Sequence, residues 1–204
     1  AAGERMAGDA PTRLYVDRVF TLHGIGTVVT GTLWSGTVGE GDELRVEPAG
    51  LDVRVRSVQV HDRAVERAEA GQRVAVALPG VERDWLARGD ALIAPNSYPT
   101  TFRLDVALEE LDDVPAALTV HLGTADVPAR VARHGRFAQL RLERPVVAAQ
   151  GDRVLLRAQT TVGGGTVLDP RPPRRVDPER LERIERGELA ATVHEPVRAD
   201  SLRH

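Results

Sequence analysis

Val19-Phe20-Thr21-Leu22-His23-Gly24-Ile25-Gly26-Thr27-Val28-Val29-Thr30-Gly31-Thr32 reads as strand, glycine turn, strand. Gly24 and Gly26 are free to take the positive φ that closes such a turn, and Gly31 lets another backbone approach where a side chain would otherwise stand. Working outward, short apolar runs recur between turn residues: Leu14 to Thr21, Thr27 to Leu33, Glu43 to Glu47, Val53 to His61, Arg73 to Leu78 and Asp90 to Ile93. Their spacing, roughly 8 to 15 residues, predicts a small antiparallel barrel. Asn96-Ser97-Tyr98-Pro99 then interrupts the pattern with turn chemistry.

A second set of runs follows: Phe102 to Leu108, Ala117 to Leu122, Asp126 to Ala132, Phe137 to Leu142 and Arg153 to Gln159, with Thr166 to Leu168 closing. Pro115, Pro128 and Pro145 belong at strand starts, edges or loops, because proline cannot donate to a central ladder. After Asp169 the run Pro170-Arg171-Pro172-Pro173-Arg174-Arg175 reads as an extended linker. Asp177 can cap a helix with Pro178 at its first position, running to a stop at Gly187. The expected fold class is all-β: two consecutive antiparallel barrels at 12–97 and 98–170, a linker at 1–11, and a linker and helix at 171–204. A single barrel of about 200 residues is the alternative.

The 204 residues contain no Cys, so disulfides and thiolate metal sites are excluded. No apolar run approaches the roughly 18 residues that span a membrane. Ala1 to Pro11 lacks the basic-then-apolar order of a secretory signal and has no Met at position 1, so a cytoplasmic fragment of a longer protein is expected. The formal net charge is −3, which argues against a nonspecific polyanion binder and leaves any RNA binding to local Arg clusters. Every cationic chain is Arg; no Lys occurs. A G-x-x-x-x-G-K-[ST] phosphate loop is therefore ruled out, and with it GTP binding by the usual route.

One local pattern bears on function. In Val53-Arg54-Val55-Arg56-Ser57-Val58-Gln59-Val60-His61 the apolar residues change phase between Val55 and Val58, which implies a bulge or twist near Ser57. Arg54, Arg56, Gln59 and His61 then face outward together. In Arg73-Val74-Ala75-Val76-Ala77-Leu78 alternation puts Val74, Val76 and Leu78 inside and Arg73 outside. The two outward faces, if adjacent, form one polar surface.

The opening hairpin closely resembles that of the second domain of translational GTPases. Ser35-Gly36-Thr37-Val38, Gly39-Glu40-Gly41-Asp42-Glu43-Leu44 and Ala70-Gly71-Gln72-Arg73-Val74-Ala75 follow in the expected order. Val16-Asp17-Arg18-Val19-Phe20, Gln59-Val60-His61, Gly71-Gln72-Arg73, His121-Leu122-Gly123-Thr124-Ala125 and Gly163-Gly164-Gly165-Thr166-Val167-Leu168-Asp169-Pro170 resemble the selenocysteine-specific elongation factor family. The resemblance covers about residues 13 to 170. Around Ala158 to Val162 this chain is shorter than the family pattern, which puts a rim loop there in question.

The resemblance implies the barrels that hold selenocysteinyl-tRNA, without the domain that binds GTP and Mg. It places Asp17, Arg18 and Arg73 around the aminoacyl group. A selenol is ionised at neutral pH where a serine hydroxyl is not, and Arg presents a permanently charged fork of donors to an anion. Asp17 would orient one Arg or meet the substrate's ammonium group. The plainer reading is an exposed ion pair worth under about 1 kcal/mol, and neighbours on a strand point to opposite faces unless the strand is bulged. Gln59 and His61 match positions against the terminal adenosine of the tRNA, where an amide and an imidazole suit a single-stranded RNA end; ordinary solvent contact is the alternative.

The run Arg130, Arg133, Arg136, Arg141 and Arg144 reads as a solvated face or as contact with a tRNA stem. His61-Asp62 and His134 lack a nucleophile at a recognisable spacing, so catalysis is not expected of this chain. The implied partners are the ribosome, the protein's own GTPase domain and C-terminal mRNA-binding domains, with the chain a monomer and no membrane. The rival functions are a general translational GTPase or the GTPase subunit of a sulfate-activating enzyme on the same barrels, and, in another class, an unrelated β-barrel enzyme.

Overall fold

The structure, a computed structural model, describes residues 9–110 and 113–191. Most of the expected first linker and the end of the tail lie outside these. The first unit comprises β1 (Arg13–Leu22), β2 (Gly26–Ser35), β3 (Thr37–Gly39), β4 (Glu43–Glu47), β5 (Leu51–Arg54), β6 (Ser57–Val60), β7 (Arg63–Val65), β8 (Arg67–Glu69), β9 (Arg73–Leu78) and β10 (Ala91–Ile93), with a 3-10 turn at Arg83–Trp85. Eight of these strands form one antiparallel sheet in the order β5-β4-β10-β1-β2-β9-β6-β7, and β3 pairs with β8 as a separate ribbon. This unit is all-β and antiparallel, as expected. Its hydrogen-bonded order is open, although one core containing Leu14, Val29, Leu33, Val46, Val58 and Val76 lies within it.

The phase change in Val53 to His61 has a definite cause. The segment is two strands, not one: β5 pairs with β4, whereas β6 pairs with β9 and β7. At the corner, Val55 N–H donates to Asp42 O at 2.9 Å and Arg56 N–H to Ala77 O at 2.9 Å, so hydrogen bonding passes from one neighbour to the other. A strand that changes partner must turn, and the turn absorbs the extra residue. Val53, Val55, Val58 and Val60 all end inside, while Arg54, Arg56 and Gln59 face solvent.

The second unit is a closed barrel of β11 (Thr100–Glu110), β12 (Ala117–Leu122), β13 (Ala125–His134), β14 (Phe137–Val147), β15 (Arg153–Arg157) and β16 (Thr161–Asp169), in the order β11-β14-β13-β12-β15-β16. Its core, including Leu104, Val120, Val127, Leu140 and Leu156, shares no residue with the first. β16 is longer than expected because Gly163, Gly164 and Gly165 belong to it; a Cβ on Gly165 would stand 2.6 Å from the Ala107 carbonyl oxygen, so the closing strand fits only without side chains there. Between β15 and β16 the rim is a tight turn, with Ala158 N–H donating to Thr160 O at 3.0 Å. Pro128 lies in β13 one residue before its ladder with β14 begins, and Pro145 lies where the β11–β14 register slips.

Helix α1 (Pro178–Glu185) starts on Asp177, whose side chain accepts from Arg180 N–H, and buries Leu181 and Ile184 against Phe137 and Leu168. The two units meet over Tyr15, Ala91, Ile93 and Val147, flanked by Trp34 and Tyr98. Arg13 crosses this seam to Asp152, its two terminal nitrogens each 2.7 Å from a carboxylate oxygen. Tyr15 donates its hydroxyl proton to the Val147 carbonyl at 2.9 Å.

Candidate nucleic-acid interface

Register alone gathers most of the expected site. Arg18 pairs with Thr30, Thr30 with Ala75, and Ala75 with Gln59, so one row crosses β1, β2, β9 and β6 on the outer face. At about 4.8 Å per strand, Arg18 and Gln59 begin roughly 14 Å apart. Arg73 lies two residues along β9 from Ala75 and is exposed. Thr30, Gln59, His61, Asp62, Arg73, Val74 and Ala75 line a depression of about 260 Å³. Thr30 Oγ1 is buried there and makes no hydrogen bond among the described residues.

His61 differs from expectation. It stands outside the strand, in the two-residue turn between Val60 and Arg63, with φ 51° followed by Asp62 at φ 61°. Two successive left-handed residues make the primed turn that fits strand twist, a conformation that glycine or asparagine takes more easily. The turn places His61 among the residues that line the depression.

Asp17 and Arg18 would face opposite ways on a regular strand. The register slips between Val16 and Arg18, because Val16 pairs with Gly31 and Arg18 with the adjacent Thr30, leaving Asp17 as the extra residue. Gly31 makes this possible: a Cβ there would lie 1.9 Å from the Tyr15 carbonyl oxygen. Asp17 can therefore accept from two arginines, Arg73 Nη2 at 2.6 Å and Arg88 Nη1 at 2.8 Å. The Arg73 hydrogen bond holds the Asp17 carboxyl below its ordinary range against some desolvation, with weaker pulls from the charges of Arg88 and Arg18. Asp17 is 18% exposed, whereas Arg73 and Arg88 are 52% and 59% exposed. Three cations surround one carboxylate, so the group can receive an anion.

Arg18 joins this group only through charge; it is exposed and makes no ion pair within reach among the described residues. Arg88 was not anticipated. It reaches Asp17 from a loop 71 residues away, and nothing in Ala87-Arg88-Gly89 announces the contact. In the second unit, Arg136 pairs with Glu185, Arg144 donates to the Asp126 carbonyl and Arg133 to that of Gly135. Arg130, Arg141 and Arg103 instead lie directly opposite one another on β13, β14 and β11. Among the described residues no group of three or more His, Asp or Glu is placed to hold a metal ion, and no helix is long and apolar enough to cross a membrane.

Comparison with known proteins bears on both units. The family model described as elongation factor Tu domain 2 matches residues 26–93, and that described as selenocysteine-specific elongation factor, beta-barrel domain, matches residues 102–174. The chain is 37% identical over 176 residues to the selenocysteine-specific elongation factor of Desulfomicrobium baculatum, covering 78% of this chain and 28% of that protein. Against the same factor of Escherichia coli it is 35% identical over 170 residues, covering 80% and 28%. The crystal structure of a bacterial selenocysteine-specific elongation factor superposes with a TM-score of 0.80 at 28% identity, covering 88% of this chain and 32% of that one. The chain thus spans less than a third of the length of these curated relatives. Matched in both of its β units, the second by the family's own barrel, the chain belongs to the selenocysteine-specific elongation factor family.

Proposed function

We propose that this chain holds the aminoacylated 3′ end of selenocysteinyl-tRNA on the outer face of β1, β2, β9 and β6, as part of a factor that delivers it to the ribosome at recoded stop codons. The observation that carries this reading is the bulge at Asp17, which joins Arg88 to Arg73, itself one of the residues that line the depression with Gln59 and His61. Gln59 and His61 take the terminal adenosine, the amide at its edge or ribose and the imidazole against its face. Arg73 and Arg18, with Arg88, take the selenolate. Asp17 orients the first and last of these and is available to the substrate's ammonium group.

Stability gives little reason for such a group, since exposed ion pairs are worth under about 1 kcal/mol. The three guanidiniums and the one Asp17 carboxylate carry a net +2, which one bound anion lowers to +1. The role is recognition; GTP and Mg would act in a separate domain of the longer protein, and the C-terminal side would lead to domains that read the mRNA.

The test uses the full-length factor. Replacing Arg18 or Arg73 with Ala should weaken selenocysteinyl-tRNA roughly ten- to hundredfold more than seryl-tRNA on the same tRNA body, as expected for a charge-assisted contact. Equal losses for the two aminoacyl forms, reproduced by added salt, would mean that the arginines grip only the RNA backbone.

A further inference from the structure

The bulge turns the Val16 carbonyl out of the β1–β2 ladder, and two donors meet it there. Gly89 N–H, next to Arg88, lies at 3.0 Å; Thr124 Oγ1, in the turn between β12 and β13 of the other unit, lies at 2.5 Å. Val16 N–H in turn donates to the Asp90 carbonyl at 2.8 Å. The peptide that precedes Asp17 and the loop that carries Arg88 are thus tied to each other, and Thr124 hydrogen-bonds to that junction from across the seam.

The turn that presents Thr124 is itself confined. Leu122 and Ala125 form its closing pair. A Cβ on Gly123 would stand 2.6 Å from the Tyr15 ring, and one on Gly89 would stand 2.9 Å from Ala125 Cα. With both lone-pair directions of the Val16 oxygen occupied, the plane of the Val16–Asp17 peptide is fixed. The Asp17 carboxylate spans Arg73 with one oxygen and Arg88 with the other, so a small rotation of that peptide breaks one bond or both.

We propose that Thr124 of the second unit is a positioning residue for the anion site of the first, setting through the Val16 carbonyl the place of Asp17 and hence of Arg73 and Arg88. The proposal rests on reading these arginines as the selenolate site. It means that discrimination between aminoacyl groups on one unit depends on how the other is docked. Hydroxyl chemistry is required: valine has the same shape and no donor, whereas serine keeps the donor.

Two measurements test it. In this chain, NMR titration of the Asp17 carboxyl should move up toward the ordinary carboxylate range in Thr124→Val and Thr124→Ala and stay in place in Thr124→Ser; unchanged titration in the Val and Ala variants overturns the proposal. In the full-length factor, Thr124→Val should lower the preference for selenocysteinyl- over seryl-tRNA roughly three- to tenfold, the worth of one hydrogen bond, and Thr124→Ser should restore it. A loss equal for both aminoacyl forms, or one that serine does not rescue, also overturns it. Arg73→Ala in parallel separates the two ideas: if it leaves the preference intact, the selenolate assignment fails, and the Asp17 titration alone decides whether Thr124 positions the group.

Discussion

Removing the cation at the seam should cost far more than removing any surface arginine. Arg13 and Asp152 are 7% and 6% exposed and joined by two bonds of 2.7 Å. The guanidinium carbon also lies 4.7 Å from the Tyr98 ring centre and 5.5 Å from those of Tyr15 and Trp34. Arg13→Met leaves a buried carboxylate whose remaining bond is the Ala149 N–H at 2.8 Å, and breaking a buried pair from one side costs about 3 to 5 kcal/mol. Asp152→Asn strands the cation and should cost about as much. The double variant removes both desolvation penalties, so its cost should fall short of the sum of the singles by at least about 2 kcal/mol. Urea unfolding followed by Trp fluorescence and by circular dichroism measures this, because Trp34 packs at the seam. A loss below about 1 kcal/mol for Arg13→Met, or costs that add within about 0.5 kcal/mol, would refute the reasoning.

Asp105 offers the opposite case: burial pushes its carboxyl up to about 6, with the neighbouring Asp169 adding to the rise and Gln139 and Arg180 opposing it. The folded state therefore holds a proton that the unfolded state releases between about pH 4 and 6, so stability falls as pH rises through that window; Asp105→Asn should flatten the pH dependence in denaturant titrations and stabilise the chain at pH 7 by about 1 to 3 kcal/mol. Gly31→Ala should cost at least about 3 kcal/mol in the same assay, since its methyl would overlap the Tyr15 carbonyl. Asp62→Gly should raise stability by about 1 kcal/mol by relieving a left-handed backbone, seen as a higher melting temperature.

Elements whose side chains alternate cleanly were legible in the sequence. β4, β9 and β12 have the bounds that their apolar periodicity implies. β3, β7 and β8 were not, because three residues such as Arg67-Ala68-Glu69 carry no periodic signal and exist only through partners elsewhere in the chain. Glycines concealed most of β16 for a related reason: they read as breakers, and their use is to let strands crowd together. At the site, outward Gln59 and Arg73 followed from alternation. The grouping of Asp17 with Arg88 did not, since it depends on a bulge whose place is set by Gly31 on another strand and on a loop that comes back from residue 88.

The unclosed order of the first sheet leaves two rims, β5 and β7, with backbone groups free to recruit another strand. Their build discourages it. They are four and three residues long, too short to template a lasting ladder, and Asp52, Arg54 and Arg63 would have to be stripped of water in any edge-to-edge pairing. A substitution that lengthened β5 or exchanged Arg54 for valine would remove that guard. Self-association would then increase without any change in the core, in the depression or in the arginines beside it.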